Sequence, residues 1–219
     1  MMAGMAQDHP IFIESIRRIR AALGETGLDP LRQQVLERLI HSSGDLSLGR
    51  DLYFSPAACE RGVAALQAGA IVLTDTAMAA AAVKPMASRT LGSTVMTVLE
   101  WAPAVAPSGS TRTATGMVQA WRHLSGHNPP PVVLIGSAPT ALEILLTLVE
   151  KGQCAPSLVI GMPVGFVGVE ESKRHLKLSG LAQIRLSGSR GGAGLPGAAV
   201  NALLRAGCES SQCSECLAC

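Results

Sequence analysis

The sequence predicts an α/β fold, a Rossmann-like three-layer sandwich with a mainly parallel sheet in a single domain. Five short apolar runs carry the first part of that prediction: 70–75 (AIVLTD), 94–99 (TVMTVL), 131–136 (PVVLIG), 157–162 (SLVIGM) and 183–187 (QIRLS). Most are apolar nearly throughout rather than at every second residue, as expected of strands buried on both faces. Helix-like segments near 55–68, 111–124, 138–151, 169–176 and 196–206 alternate with them, a pattern that builds a parallel sheet covered by helices. The composition agrees. Of 219 residues, 47% are hydrophobic and 16% charged, enough for a two-sided core and too apolar for a disordered chain.

Two amphipathic helices open the chain. Ile11, Ile13, Ile16 and Ile19 lie close to helical spacing, with Arg17, Arg18 and Arg20 between them. After the turn GETGLDP, Pro30 suits the first position of a second helix, whose apolar stripe is Leu31, Val35, Leu36, Leu39 and Ile40. Gly44 is fitted to end it, because glycine accepts the left-handed conformation common just past helix ends. Aromatic residues make up 3% of the chain, so the core falls to Ala, Val, Leu, Ile and Met. No repeat or linker interrupts the pattern. Residues 8–206 read as one domain, and 207–219 as a flexible, cysteine-rich tail.

Charge and cysteine usage exclude several classes of function. The formal net charge is +2 with Lys and Arg spread along the chain, and no basic stripe interleaved with aromatics suggests a nucleic-acid partner. The N-terminal stretch MMAGMAQDHPIF lacks the charged start and apolar core of a signal peptide. No run reaches the ~18 apolar residues of a membrane span. Cys59 and Cys154 are isolated and the other four cysteines fall in the last dozen residues, whereas a disulfide scaffold distributes its cysteines through the fold. A cytoplasmic protein with neither a nucleic-acid nor a membrane partner is expected.

In open α/β sheets ligands gather at the carboxyl ends of the strands. Here those ends carry Asp75, Gly136-Ser137-Ala138-Pro139-Thr140, the segment Gly161 to Gly165, and the glycine-rich Gly188 to Gly197. Amides at helix N-termini bind anions, and Pro139 at a first helical position leaves its neighbours' amides for that purpose. A substrate with many carboxylates would use such loops together with single arginines. Arg112, in the segment STRTATG (110–116), opens a helix between hydroxyls, although the spacing suits a surface arginine equally well. The run 192–197 spells GxGxxG, but a dinucleotide site also needs a further strand with an acidic residue ~20 residues on, and only one helix and the tail follow. His41 ends the second helix beside Ser42, Ser43 and Asp45, which are placed to orient its ring. A histidine can give or take a proton near neutrality. No nucleophile elbow or HExxH accompanies it, so residue chemistry alone stops at a pocket with a histidine acid or base.

Read together, the segments Pro10 to Arg20, LIHSSGD (39–45), TRTA (111–114), IGSAPTAL (135–142), IGMPVGFVG (160–168) with Glu171-Ser-Lys173, Arg190-Gly-Gly and Val200 to Leu203 closely resemble the precorrin-8X methylmutase (precorrin isomerase) family. The match is collinear over residues 8–206. It implies a homodimer of Rossmann-like subunits with active sites near the interface. The implied reaction moves a methyl group from C-11 to C-12 of precorrin-8X, giving hydrogenobyrinate, with no cofactor, metal or external methyl donor. By the same resemblance His41 is the catalytic acid, Ser15 contacts substrate, Arg112 pairs with a substrate carboxylate, and Ser137 and Thr140 line the substrate site. Ser137 stands where the family commonly has Asn, a departure that alters a loop contact rather than the chemistry. A corrinoid carrier with the same pocket and no turnover is the competing reading. Cys208, Cys213, Cys216 and Cys219 lie outside the resemblance. Their spacing, C-x4-C-x2-C-x2-C, suits a zinc or iron–sulfur ligand set or a redox-sensitive tail.

Overall fold

Apolar residues that alternate in facing along the strands divide the core into two halves. In the computed structural model, which describes the backbone of residues 9–217 and side chains as far as residue 210, six strands form one sheet in the order β1-β6-β5-β4-β2-β3. They are β1 (Leu52–Phe54), β2 (Val72–Thr74), β3 (Val95–Thr97), β4 (Val132–Ile135), β5 (Leu158–Gly161) and β6 (Gln183–Leu186). The sheet is parallel except for β1, which pairs antiparallel with β6. The helices are α1 (Pro10–Leu23), α2 (Pro30–Ser43), α3 (Ala58–Gln67), α4 (Ala77–Arg89), α5 (Arg112–Leu124), α6 (Pro139–Glu150), α7 (Val169–Leu178) and α8 (Gly194–Leu217).

One face of the sheet presents Val72, Val132, Leu134, Leu158, Ile160 and Ile184 to residues of α2, α3, α4 and α8. The opposite face presents Leu73, Val133, Ile135 and Val159 to α5, α6 and α7, with Trp121 and Met117 fully buried among them. The three-layer sandwich and single α/β domain therefore hold. Helix α1 lies outside this frame, packing Ile16, Ile19 and Leu23 against Leu36 and Ile40 of α2.

Two elements depart from the sequence-based expectation. Strand β1 has only three residues at a sheet edge, too short to register as an apolar run. Helix α4 has no counterpart among the helix-like segments of the sequence, yet it crosses from β2 to its parallel neighbour β3, a connection that needs a helix or similar length of chain. Its Ala-rich start has high helix propensity, Thr76 caps it by accepting from the Ala79 amide, and it continues past Pro85. The run 94–99 also divides: the strand stops at Thr97 and a 3-10 turn begins at Val98.

Within the parallel part, the strand order is that of a doubly wound sheet, and the winding reverses between β2 and β4. The loops at the carboxyl ends of these strands are where a ligand is expected. Gly197, last glycine of the GxGxxG run, lies against α4: a Cβ there would stand 3.0 Å from that of Ala82. That run therefore packs the start of α8 against α4. Helix α8 continues past the boundary expected at residue 206.

Candidate active site at the carboxyl edge of the sheet

Helix α2 delivers His41 to this edge. Asp29 caps its start, accepting from the amides of Leu31 and Arg32, and Gly44, with φ 71°, closes its end by donating from its amide to the Ile40 carbonyl at 2.7 Å. His41 sits in the last turn and is exposed. Its Nδ1 is hydrogen-bonded to Ser15 Oγ of α1 at 2.7 Å. The imidazole and the Phe12 ring meet in a T-shaped contact with centroids 5.0 Å apart, and the Arg38 guanidinium lies over the phenyl ring at 4.5 Å. Among the described residues, Nε2 has no hydrogen-bond partner. The ring is held from one side and presented on the other.

Two of the three neighbours expected to orient the ring, Ser43 and Asp45, are bonded elsewhere. Ser43 Oγ donates to the Leu39 carbonyl, and Asp45 accepts from both the Ser47 amide and hydroxyl and pairs with Arg190. The orienting group comes instead from α1, 26 residues upstream, where Ile16 and Ile19 dock on α2 and bring Ser15 with them.

A second polar group forms where α5 and α6 begin. Thr111 caps α5 by accepting from the Ala114 amide, and its hydroxyl is 2.8 Å from that of Thr140 in the first turn of α6. Arg112, the first residue of α5, is exposed and donates from Nε to the Pro103 carbonyl at 2.8 Å. The structure thus joins Ser15 to His41 and places Arg112 next to the Thr111–Thr140 pair. Among the described residues, no hydrogen bond connects the two groups directly.

The loop entering α6 overturns one expectation. The amides of Gly136, Ser137 and Ala138 are not left for an external anion, because all three donate to Asp75 Oδ2, at 3.0, 2.6 and 2.8 Å. Asp75 is fully buried, and burial raises its pKa while the three amides act to lower it; burial prevails. The reversal point of the sheet is filled by the protein's own carboxylate. The sequence placed Asp75 at this strand end, but the pairing across 61 residues had no local signal.

The remaining loops interlock. Gly191 is packed so closely that a Cβ would fall 2.1 Å from the Met162 carbonyl oxygen and 2.5 Å from that of Pro163. Gly192 donates from its amide to Met162 O, Gly165 to Ser189 O, and Val164 to Gly136 O. A Cβ on Gly194 would lie 4.0 Å from Ser42 Oγ, so the start of α8 adjoins the end of α2. A continuous series of loop contacts runs from the buried Asp75 cluster to the turn that follows His41.

No metal-binding group of three or more His, Cys, Asp or Glu side chains occurs among the described residues. The side chains of Cys213 and Cys216, and all of Cys219, lie outside the described residues, so both readings of the tail, ligand set or redox-sensitive segment, do too. Cys59 is buried among apolar side chains, and burial pushes its thiol up to about 12, far from the thiolate form that reacts. No helix among the described residues is long and apolar enough to cross a membrane.

Residues 10–206 match the family model for CbiC, precorrin-8X methylmutase. The chain is 34% identical over 211 residues to the cobalt-precorrin-8 methylmutase of Synechocystis sp., covering 90% of this chain and 95% of that one. It is 39% identical over 198 residues to the precorrin-8X methylmutase of Pseudomonas aeruginosa, covering 88% and 93%. The solved structure of precorrin-8X methylmutase from Thermus thermophilus superposes with a TM-score of 0.81 at 35% identity, over 91% of this chain and 96% of that one. Sequence and fold agree that this chain belongs to the precorrin-8X methylmutase family of isomerases.

Proposed function

We propose that this enzyme acts in cobalamin biosynthesis by moving a methyl group from C-11 to C-12 of precorrin-8X, or of its cobalt-containing counterpart, with His41 as general acid. The observation that carries this reading is the Ser15–His41 pair, which holds an exposed histidine by one nitrogen only. In the imidazolium form, Nδ1–H donates to Ser15 Oγ and Nε2–H is the proton offered to the macrocycle. Protonation favours the rearranged ring, and positioned acids of this kind contribute roughly 10²–10⁴-fold to rate. Substrate and product are isomers, so the proton lent by His41 is returned or replaced within each turnover.

Arg112 supplies the cation for a side-chain carboxylate of the substrate, flanked by the Thr111 and Thr140 hydroxyls, while Ser137 lines the neighbouring loop. No step calls for a metal, nucleotide or external methyl donor, because the methyl group is already on the ring. The enzyme works as a cytoplasmic homodimer. Support for the dimer comes from Phe166 and Val167, 96% and 88% exposed at the tip of the β5–α7 loop. An apolar tip of that kind at the site's edge is characteristic of a surface that becomes covered.

The test is conversion of precorrin-8X and cobalt-precorrin-8 side by side, followed by the change in pigment absorption. Conversion of either supports the isomerase. Binding of both pigments without spectral change would establish the carrier reading instead.

A further inference from the structure

Lys173 is buried to 2% exposure, and among the described residues no carboxylate is bonded to its ammonium group. Instead, Nζ donates to the carbonyl oxygens of Gly188 at 2.7 Å and Arg190 at 2.6 Å, two residues apart in the loop between β6 and α8. Burying a cation in this way is costly, and burial pushes its pKa down to about 8. Among the described residues no hydrogen bond joins the ammonium to His41, and the proposed chemistry assigns it no direct part. What it does is fix the backbone on both sides of Ser189. From below, the same loop is held by the contact of Gly191 with the Met162 and Pro163 carbonyls.

With its backbone pinned, Arg190 extends its side chain across to the segment that follows α2. One guanidinium nitrogen donates to Asp51 Oδ2 at 3.0 Å and another to Asp45 Oδ2. Asp45 also caps the 3-10 turn at residues 46–50, and Asp51 accepts at its backbone carbonyl from the Ser187 amide. The turn directly after His41 is thereby tied to the sheet edge through two carboxylates and one arginine.

We infer that Lys173 and Arg190 form a positioning bridge that holds the turn after His41, and with it the imidazole, against the carboxyl edge of the sheet. This inference rests on the reading of His41 as the acid. Neither residue touches the reacting atoms. Their effect is on geometry, to which proton transfer is sensitive: a misplacement of ~1 Å can cost about 10²-fold in rate. The bridge also accounts for a lysine at a position where an apolar side chain would bury at lower cost.

The test uses full-length Arg190→Gln, Lys173→Met and the double variant, measuring amide hydrogen exchange by mass spectrometry together with kcat and KM for precorrin-8X. Arg190 is half-exposed, so its variant is expected to fold, and it decides alone if Lys173→Met does not. Exchange over residues 44–51 should quicken in either variant. Turnover should fall by ~10-fold or more, the factor given by about 1.4 kcal/mol of lost positioning, with KM changed by less than about threefold. The double variant should be no worse than the more severe single one, since both act through one bridge. Unchanged exchange over 44–51 would overturn the bridge, and faster exchange with wild-type kcat would overturn its role in positioning. Failure of the underlying reading is separately visible, as full turnover by His41→Ala with the exchange differences intact.

Discussion

Two polar clusters stand at the same edge of the sheet, and they are built in opposite ways. Asp75 is fully buried, with three amides converging on one carboxylate oxygen. His41 is exposed, holds one hydroxyl and leaves a ring nitrogen unengaged among the described residues. The first occupies the position where a doubly wound sheet ordinarily receives a ligand and closes it with an internal anion. The second lies off to one side, on a helix end supported by α1. The three amides bound to Asp75 Oδ2 are committed to it, while its Oδ1 is buried without a hydrogen-bond partner among the described residues; the exposed His41 ring instead keeps its open nitrogen on the solvent side. At the reversal point the amides of residues 136–138 are engaged by Asp75, while the imidazole beside it is exposed and held through one nitrogen by α1.

Breaking the buried cluster should produce the largest loss of stability. Asp75→Ala leaves three buried amides unpaired at about 1–3 kcal/mol each before relaxation, so a loss of roughly 3–5 kcal/mol is expected in chemical denaturation. Asp75→Asn, which keeps an acceptor of the same shape, should lose less. Equal losses for the two would mean that the negative charge, and neither the shape nor a neutral acceptor, holds the three amides.

Gly191→Ala pushes a methyl group into two carbonyl oxygens. Overpacking of this kind costs about 1–3 kcal/mol, and the displaced loop should raise KM as well as lower the melting temperature. Ser15→Ala touches only the exposed cluster. It should lower kcat by ~10-fold, about 1.4 kcal/mol, with the melting temperature almost unchanged, and steady-state kinetics beside a thermal melt would separate the two.

The smallest effect lies on the far face, away from both clusters. His175 bridges Glu143 and Glu150, with both ring nitrogens at 2.8 Å from a carboxylate oxygen. Burial lowers its pKa, the two carboxylates raise it, and the carboxylates prevail. A raised folded-state pKa means that the protonated clasp stabilises the fold fully below the unfolded histidine value of ~6.5. That stability is lost as pH rises through the folded value. His175→Gln should remove a contribution of at most about 1 kcal/mol below that window and change little above it, as read from melting temperature against pH.

Much of the frame was legible in the chain itself. Continuous apolar runs located β2 to β6, because a strand covered on both faces has no polar side to conceal it. Pro30 and Gly44 marked the ends of α2 to the residue. Helix α4 is hard to see in the sequence despite its Ala-rich run and Thr76 cap, since no polar face gives it a helical period. Strand β1 exists only because β6 offers it an edge. At the site, His41, Ser15, Arg112, Ser137 and Thr140 were reached through a family resemblance, while their pairing was not. Ser15 meets His41 only because α1 folds onto α2, and Asp75 meets residues 136–138 only because β2 and β4 are neighbours. Contacts across such distances follow from topology, to which local spacing is blind.

Protonation of a bound corrinoid by His41 is put to the test by His41→Ala with precorrin-8X in a single assay of binding and turnover. The expected result is a pigment that binds with near wild-type affinity while conversion falls by ~10²-fold or more. Conversion at the wild-type rate by the His41→Ala enzyme would contradict the claim outright.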